Sequence, residues 1–111
     1  MKETTWEDFQ KIDLRIGTIL EVIDFPEARK PAYRLSVDFG KDIGIKKSSA
    51  QLTDLYTKES LVGKRVIAVI NFPKKQIGPI QSECLVVGFH RDDGVILAIP
   101  DGAIPNGARL V

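Results

Sequence analysis

Hydrophobic positions along this chain recur mostly with the period of strands. In "YRLSVDFG", Tyr33, Leu35, Val37 and Phe39 alternate with Arg34, Ser36 and Asp38, which predicts a half-buried strand ended by Gly40. "LRIGTILEVIDF" predicts a longer strand. Ile16, Thr18, Leu20 and Val22 fall on one face, and Arg15, Gly17, Ile19, Glu21 and Ile23 on the other. Gly17 inside it marks a bulge or a tight bend. A short strand is expected around residues 43–47, and "RVIAVINF" reads as a strand buried on both faces. "CLVVGFH" and "VILAIP" follow, joined by a turn at Asp92-Asp93-Gly94, and Pro-Asn-Gly turns the chain into a last short strand. Two stretches carry a helical pattern. "TTWEDFQKID" predicts a short helix capped by Thr4 or Thr5, with Trp6 and Phe9 on one face. "SSAQLTDLY" predicts a helical turn capped by Ser48 or Ser49, with Leu52, Leu55 and Tyr56 facing the core.

About six short strands, one helical turn between the third and fourth, and no alternation of strand and helix predict an all-β fold. A closed or nearly closed barrel buries such strands well, and a five-stranded OB-fold barrel fits the order. The 111 residues are enough for one domain, spanning 1–111, and too few for two.

One segment does not fit a plain connection. "NFPKKQIGPIQSE", residues 71–83, follows the apolar run Val66–Ile70 with two lysines between two prolines. Charge gives it context. Residues 1–25 hold three Lys/Arg against six Asp/Glu, residues 26–80 eleven against five, and residues 81–111 two against four. The middle of the chain is therefore basic and its ends acidic, which suits one face meeting an acidic partner. Lys46-Lys47, Lys74-Lys75 and Arg29-Lys30 are the basic pairs. In a small barrel, Arg15, Lys46, Lys47, Ser48, Gln51, Asn71, Lys74, Lys75 and Ser82 are the candidate RNA-binding set. The lysines would contact phosphate, and the amides and hydroxyls, with Ser49 and Gln76 beside them, would contact base edges or 2′-hydroxyls. Phe72 either stacks on a base or plugs the barrel end. Trp6, Phe9, Ile77, Ile80 and Ile104 are more apolar residues at turns and ends than a lone small barrel covers, which suits a dimer interface or a groove for apolar peptides.

Other chemistries find little support. The lone His90 sits at a strand end, no serine lies in a nucleophile-elbow motif, and no glycine-rich phosphate loop is present, so a binding protein is expected and not an enzyme. One cysteine and one histidine do not make a zinc site, so neither metal nor cofactor is expected. Cys84 reads as a core residue. The polar, acidic N-terminus lacks a signal peptide's apolar stretch and no run is long enough to span a bilayer, so a cytoplasmic protein without membrane insertion is expected.

Five segments together are similar to a known family. "KIDLRIGTI", "FPEARKPAYRLSVDFG", "IGIKKSSAQLT", "VIAVINFPKKQIGPIQSECLVVG" and "PDGAIPNGARL" resemble, in order and spacing, the CsaA family of bacterial export chaperones. They more distantly resemble the tRNA-binding domains appended to methionyl-tRNA synthetases. The resemblance implies an OB-fold homodimer that binds unfolded or pre-secretory polypeptides and tRNA, with the export machinery as a further partner. It implies dimerisation through the N-terminal segment and extra C-terminal strands, engaging Trp6, Phe9, Val95, Leu97, Ile99 and Ile104. Peptide binding is assigned to Phe72, Ile77 and Ile80. The tRNA-binding relatives carry Asn-Leu-Lys-Pro where this chain has Asn71-Phe72-Pro73-Lys74, and Ser-Glu-Gly-Met where it has Ser82-Glu83-Cys84-Leu85. Asn71, Ser82 and Glu83 match, and the departures are those of the chaperone branch. An export-related chaperone with tRNA-binding capacity is thus the leading expectation, and a module acting mainly on structured RNA the alternative.

Overall fold

A computed structural model describes all 111 residues. Its centre is a five-stranded antiparallel sheet in the order β3-β2-β1-β4-β7, built from β1 (Leu14–Asp24), β2 (Tyr33–Asp38), β3 (Ile45–Ala50), β4 (Arg65–Val69) and β7 (Leu85–Val86). Two ribbons project from it: β5 (Lys75–Ile77) with β6 (Ile80–Ser82), and β8 (Gly88–Arg91) with β9 (Gly94–Leu97). Helix α1 (Trp6–Gln10) precedes β1, and α2 (Lys58–Leu61) lies between β3 and β4. The sheet curls until β3 meets the chain around residues 82–84, giving the expected all-β OB-fold barrel.

The alternation in β2 is realised: Leu35, Val37 and the following Phe39 are buried, and Ser36 and Asp38 are not. Strand β1 departs from its predicted phase. Its register slips between Ile19 and Glu21, so Ile19 and Val22 both reach the core while Leu20 is exposed. The bulge thus sits at Leu20, not at Gly17. Gly17 serves close packing instead, because a Cβ there would lie 2.6 Å from Val37 Cγ1 and 2.9 Å from the Phe39 ring.

The predicted helical turn at residues 48–56 is realised in its second half, where Tyr56 N–H donates to Leu52 O and both side chains meet the core, but its expected start is corrected. Ser48 and Ser49 are strand residues paired with Leu35 and Arg34. The capped helix begins eight or nine residues later, where Thr57 and Ser60 form a reciprocal capping box and Leu61 is fully buried. At the N-terminus Thr5, not Thr4, caps α1 by accepting from the Asp8 N–H at 3.1 Å. The last strand lies along β1 as a short pairing: Ile16 N–H donates to Ala108 O, and Gly107 and Leu110 N–H donate to Ile16 O and Leu14 O.

Candidate functional site

Within residues 71–83, the stretch from Lys75 to Ser82 forms a hairpin arm. Lys75, Gln76 and Ile77 pair with Ser82, Gln81 and Ile80, and Gly78-Pro79 makes the two-residue turn. Gly78 has φ 53°, the positive value that a tight hairpin turn of this length requires at its first central residue. Ile80 is buried with Phe25 and Ala32, and Ile77 packs on the same cluster. These isoleucines therefore fasten the arm to the loop before β2. Ile80 is only 5% exposed, so its side chain is not presented to a ligand.

Ser48, together with Asn71, Ser82 and Glu83, serves the barrel itself. Ser48 is fully buried and its hydroxyl donates to Cys84 O at 2.9 Å. Glu83 N–H donates to Lys47 O at 2.8 Å, while the Glu83 carboxylate accepts from Lys47 N–H at 3.0 Å. Ser82 Oγ accepts from Ser49 N–H at 3.3 Å. Residues 82–84 thus close the barrel against β3, partly with side chains standing in for a strand. Asn71 acts similarly at the other end: Asp13 N–H donates to its Oδ1 at 2.9 Å, and its Nδ2 donates to Lys11 O at 2.7 Å. Glu83 is held below the usual carboxylate range, first by the Lys47 N–H and then by Lys74 and Lys46, against the opposing effect of burial. Burial pushes the Cys84 thiol up to about 11, which keeps it neutral.

The rest of the RNA-binding set divides. Arg15 lies apart, clamped by Asp13 at 2.6 Å and donating to Gly107 O at 2.9 Å, next to Arg109. Lys46 and Lys74 gather at Glu83, Lys74 at 3.5 Å. Lys47 borders a small depression with Glu21 and Arg34. Lys75 and Gln51 flank a larger feature.

That feature is a run of adjoining depressions that all share Gln51. One of about 300 Å³ is lined by Ser49, Phe72, Pro73, Lys75, Ile77 and Leu85. A second, of about 380 Å³, is lined by Ser49, Leu52, Leu85, Val86, His90 and Val95. A third, of about 420 Å³, continues towards Arg29, Lys30, Lys75 and Gly78. The fourth, of about 410 Å³, reaches Lys30, Asp54 and the Asp92-Asp93 turn. Together they form a groove between the two ribbons, with an apolar middle and charged ends. Phe72 is 49% and Leu85 47% exposed, so the apolar middle is open to ligand. Leu85 was missed in the sequence because "CLVVGFH" reads as a buried run; only Cys84 is buried, and its neighbour faces out.

The predicted dimer residues also divide. Trp6 is exposed and stacks loosely on Phe9 at 5.4 Å between ring centroids, and Ile99 and Ile104 are exposed. Leu97 belongs to the main core and Val95 packs against it. Phe89, not singled out in the sequence, is 67% exposed on β8, a strand with no buried residue.

Comparison with known proteins places this geometry. Residues 14–109 match the family described as "Putative tRNA binding domain". Methionine–tRNA ligase of Pyrococcus horikoshii is 36% identical over 110 residues, which is 99% of this chain and 15% of that protein. The enzyme of Thermotoga maritima is 33% identical over 96% of this chain and 16% of its own length. The chain therefore spans about one sixth of these ligases. Among solved structures, the CsaA chaperone protein of Picrophilus torridus is 52% identical with a TM-score of 0.93, covering 98% of this chain and 100% of that one. Chaperone CsaA of Bacillus anthracis is 43% identical with a TM-score of 0.92, covering 99% and 100%.

Proposed function

The chain belongs to the tRNA-binding domain family, alongside the CsaA proteins it matches from end to end, and from that premise we propose that it is a CsaA-type chaperone. In this reading it works in the cytoplasm as a homodimer and holds unfolded or pre-secretory polypeptides for the export machinery. The observation that carries the reading is the groove: two adjoining apolar depressions flanked by the exposed Phe72 and Leu85. Exposed apolar side chains in a concave strip suit non-native chain, which offers apolar residues that a folded protein hides. The activity is binding without catalysis. Its test is the aggregation of a chemically denatured client. The wild-type protein should slow it at physiological salt, and the F72A/L85A double variant should not. Unchanged client aggregation in the presence of wild-type protein would defeat the reading.

A second reading, tRNA binding, is favoured by the family match and by the lysines around Glu83. Here Lys46, Lys47, Lys74 and Lys75 supply phosphate contacts, so affinity should fall steeply with salt. Each lysine removed should lower the salt slope by about 1. Absence of any tRNA shift at low salt would sink it. The homodimer is supported by exposed Trp6, Phe89, Ile99 and Ile104, which leave apolar surface for a second copy. Light scattering at micromolar concentration should give twice the 12.3 kDa chain mass; a monomer mass would refute it.

A further inference from the structure

Strand β3 ends on an open edge inside the groove. The Lys47 carbonyl faces away from β2, because it accepts from Glu83 N–H. Antiparallel pairing alternates, so Ser49 N–H and C=O face the same way as those of Lys47. Ser49 N–H is satisfied by Ser82 Oγ, whereas Ser49 C=O and the next outward group, Gln51 N–H, have no hydrogen-bond partner. An acceptor and a donor two residues apart on a strand edge are what an added strand pairs with. The two apolar depressions meet at this edge, since both include Ser49, Gln51 and Leu85.

Charge orients the groove. Towards the β5–β6 arm stand Arg29, Lys30 and Lys75 against Glu27, none in an ion pair, so this end is basic on balance. Towards the β8–β9 turn stand Asp54 and Asp92 against Lys30, with Arg91 and Asp93 paired to each other, so this end is acidic on balance. Resting on the chaperone reading, we propose that the groove binds an extended polypeptide segment by its main chain at Ser49 and Gln51. Side chains two residues apart fill the two apolar depressions, and the acidic end of the segment lies towards Lys75 and its basic end towards Asp54. In an extended chain, residues i and i+2 share a face about 7 Å apart, so alternate side chains of one strand can enter two depressions that meet at Ser49, Gln51 and Leu85. Recognition of this kind reads the main chain and an apolar-x-apolar spacing, so it accepts many sequences while rejecting helices.

The probe is the capped peptide Gly-Glu-Ser-Leu-Ser-Leu-Ser-Lys-Gly, titrated against the intact protein. Its isomer with adjacent leucines, Gly-Glu-Ser-Leu-Leu-Ser-Ser-Lys-Gly, keeps the composition and breaks the spacing. A series carrying one N-methyl group at each position in turn removes the main-chain donors singly. We expect the isomer to bind about tenfold more weakly. N-methylation should cost about tenfold at alternate positions only, because just one edge of the guest faces β3. A reduced, carboxymethylated client protein is titrated in parallel. If that client binds while the isomer and every N-methylated peptide bind like the parent, the strand-edge mode is overturned and the chaperone reading stands. If neither client nor peptide binds, both fall. If a tRNA pool binds and Gln51→Ala or Phe72→Ala weakens it while the peptides stay unbound, the groove is an RNA site and the proposal is again overturned.

Discussion

Ser48 and Gln51 lie three residues apart on one stretch of chain and use their polar groups in opposite ways. At the seam where residues 82–84 close the barrel on β3, Ser48 is fully buried and bonded to Cys84 O, Lys47 and Glu83 satisfy each other, and Ser82 accepts from Ser49 N–H. In the groove, Gln51 is exposed and its N–H and the Ser49 carbonyl are open, among apolar side chains that nothing covers. A buried polar group without a partner costs free energy, so the seam must be internally complete to exist at all. A groove spends no stability on being incomplete, since water satisfies it until a ligand arrives. The residues shared with tRNA-binding relatives (Asn71, Ser82 and Glu83) fall on the completed side. The departures are split: Phe72 and Leu85 fall on the open side, whereas Cys84 is buried at the seam and Lys74 pairs with Glu83.

The largest expected effect breaks the seam. Ser48→Ala leaves Cys84 O without its buried donor and should lower stability by about 1–3 kcal/mol, read by urea denaturation, with client affinity per folded molecule unchanged. Asn71→Ala removes two hydrogen bonds at a more exposed position and should cost about 1–2 kcal/mol in the same assay. Glu83→Gln should cost about 1 kcal/mol or less at neutral pH, because the amide oxygen still accepts from Lys47 N–H but without charge. The pH dependence is the sharper readout. The Glu83 value is lowered from 4.5 in the fold, so its contribution is complete above that pH and is lost as pH falls through the lower folded value. Glu83→Gln should therefore flatten the acid limb of stability against pH; an unaltered limb would remove Glu83 from the seam. Smallest of all, K74A/K75A should change stability by no more than about 0.5 kcal/mol while lowering the salt slope of tRNA binding.

Much of the barrel is legible in the chain, and the reasons for the exceptions are local. The β2 alternation is strict, and its strand follows. The β1 phase fails at Leu20, because a bulge at a leucine leaves no mark in the sequence, whereas Gly17, the glycine that predicts one, makes room for the Val37 and Phe39 side chains. Ser48-Ser49 looks like a helix cap, yet tertiary pairing with β2 and residues 82–84 overrides that local preference. The turn Ile77-Gly78-Pro79-Ile80 carries a hairpin signal, glycine at the first central position, that the two prolines obscure. The basic residues of the site were legible as pairs. Which hydroxyl and amide groups remain for a ligand was not, because that depends on a seam between residues 36 positions apart.

The contrast between seam and groove is tested most directly by titrating a carboxymethylated client into wild type, S48A and F72A/L85A, with each protein's folded fraction measured alongside. F72A/L85A should keep the wild-type melting temperature and lose about tenfold or more in affinity, and S48A should melt lower while binding as wild type once corrected for unfolding. Wild-type affinity in F72A/L85A, with affinity lost in folded S48A, would contradict the assignment of structure to the seam and ligand to the groove.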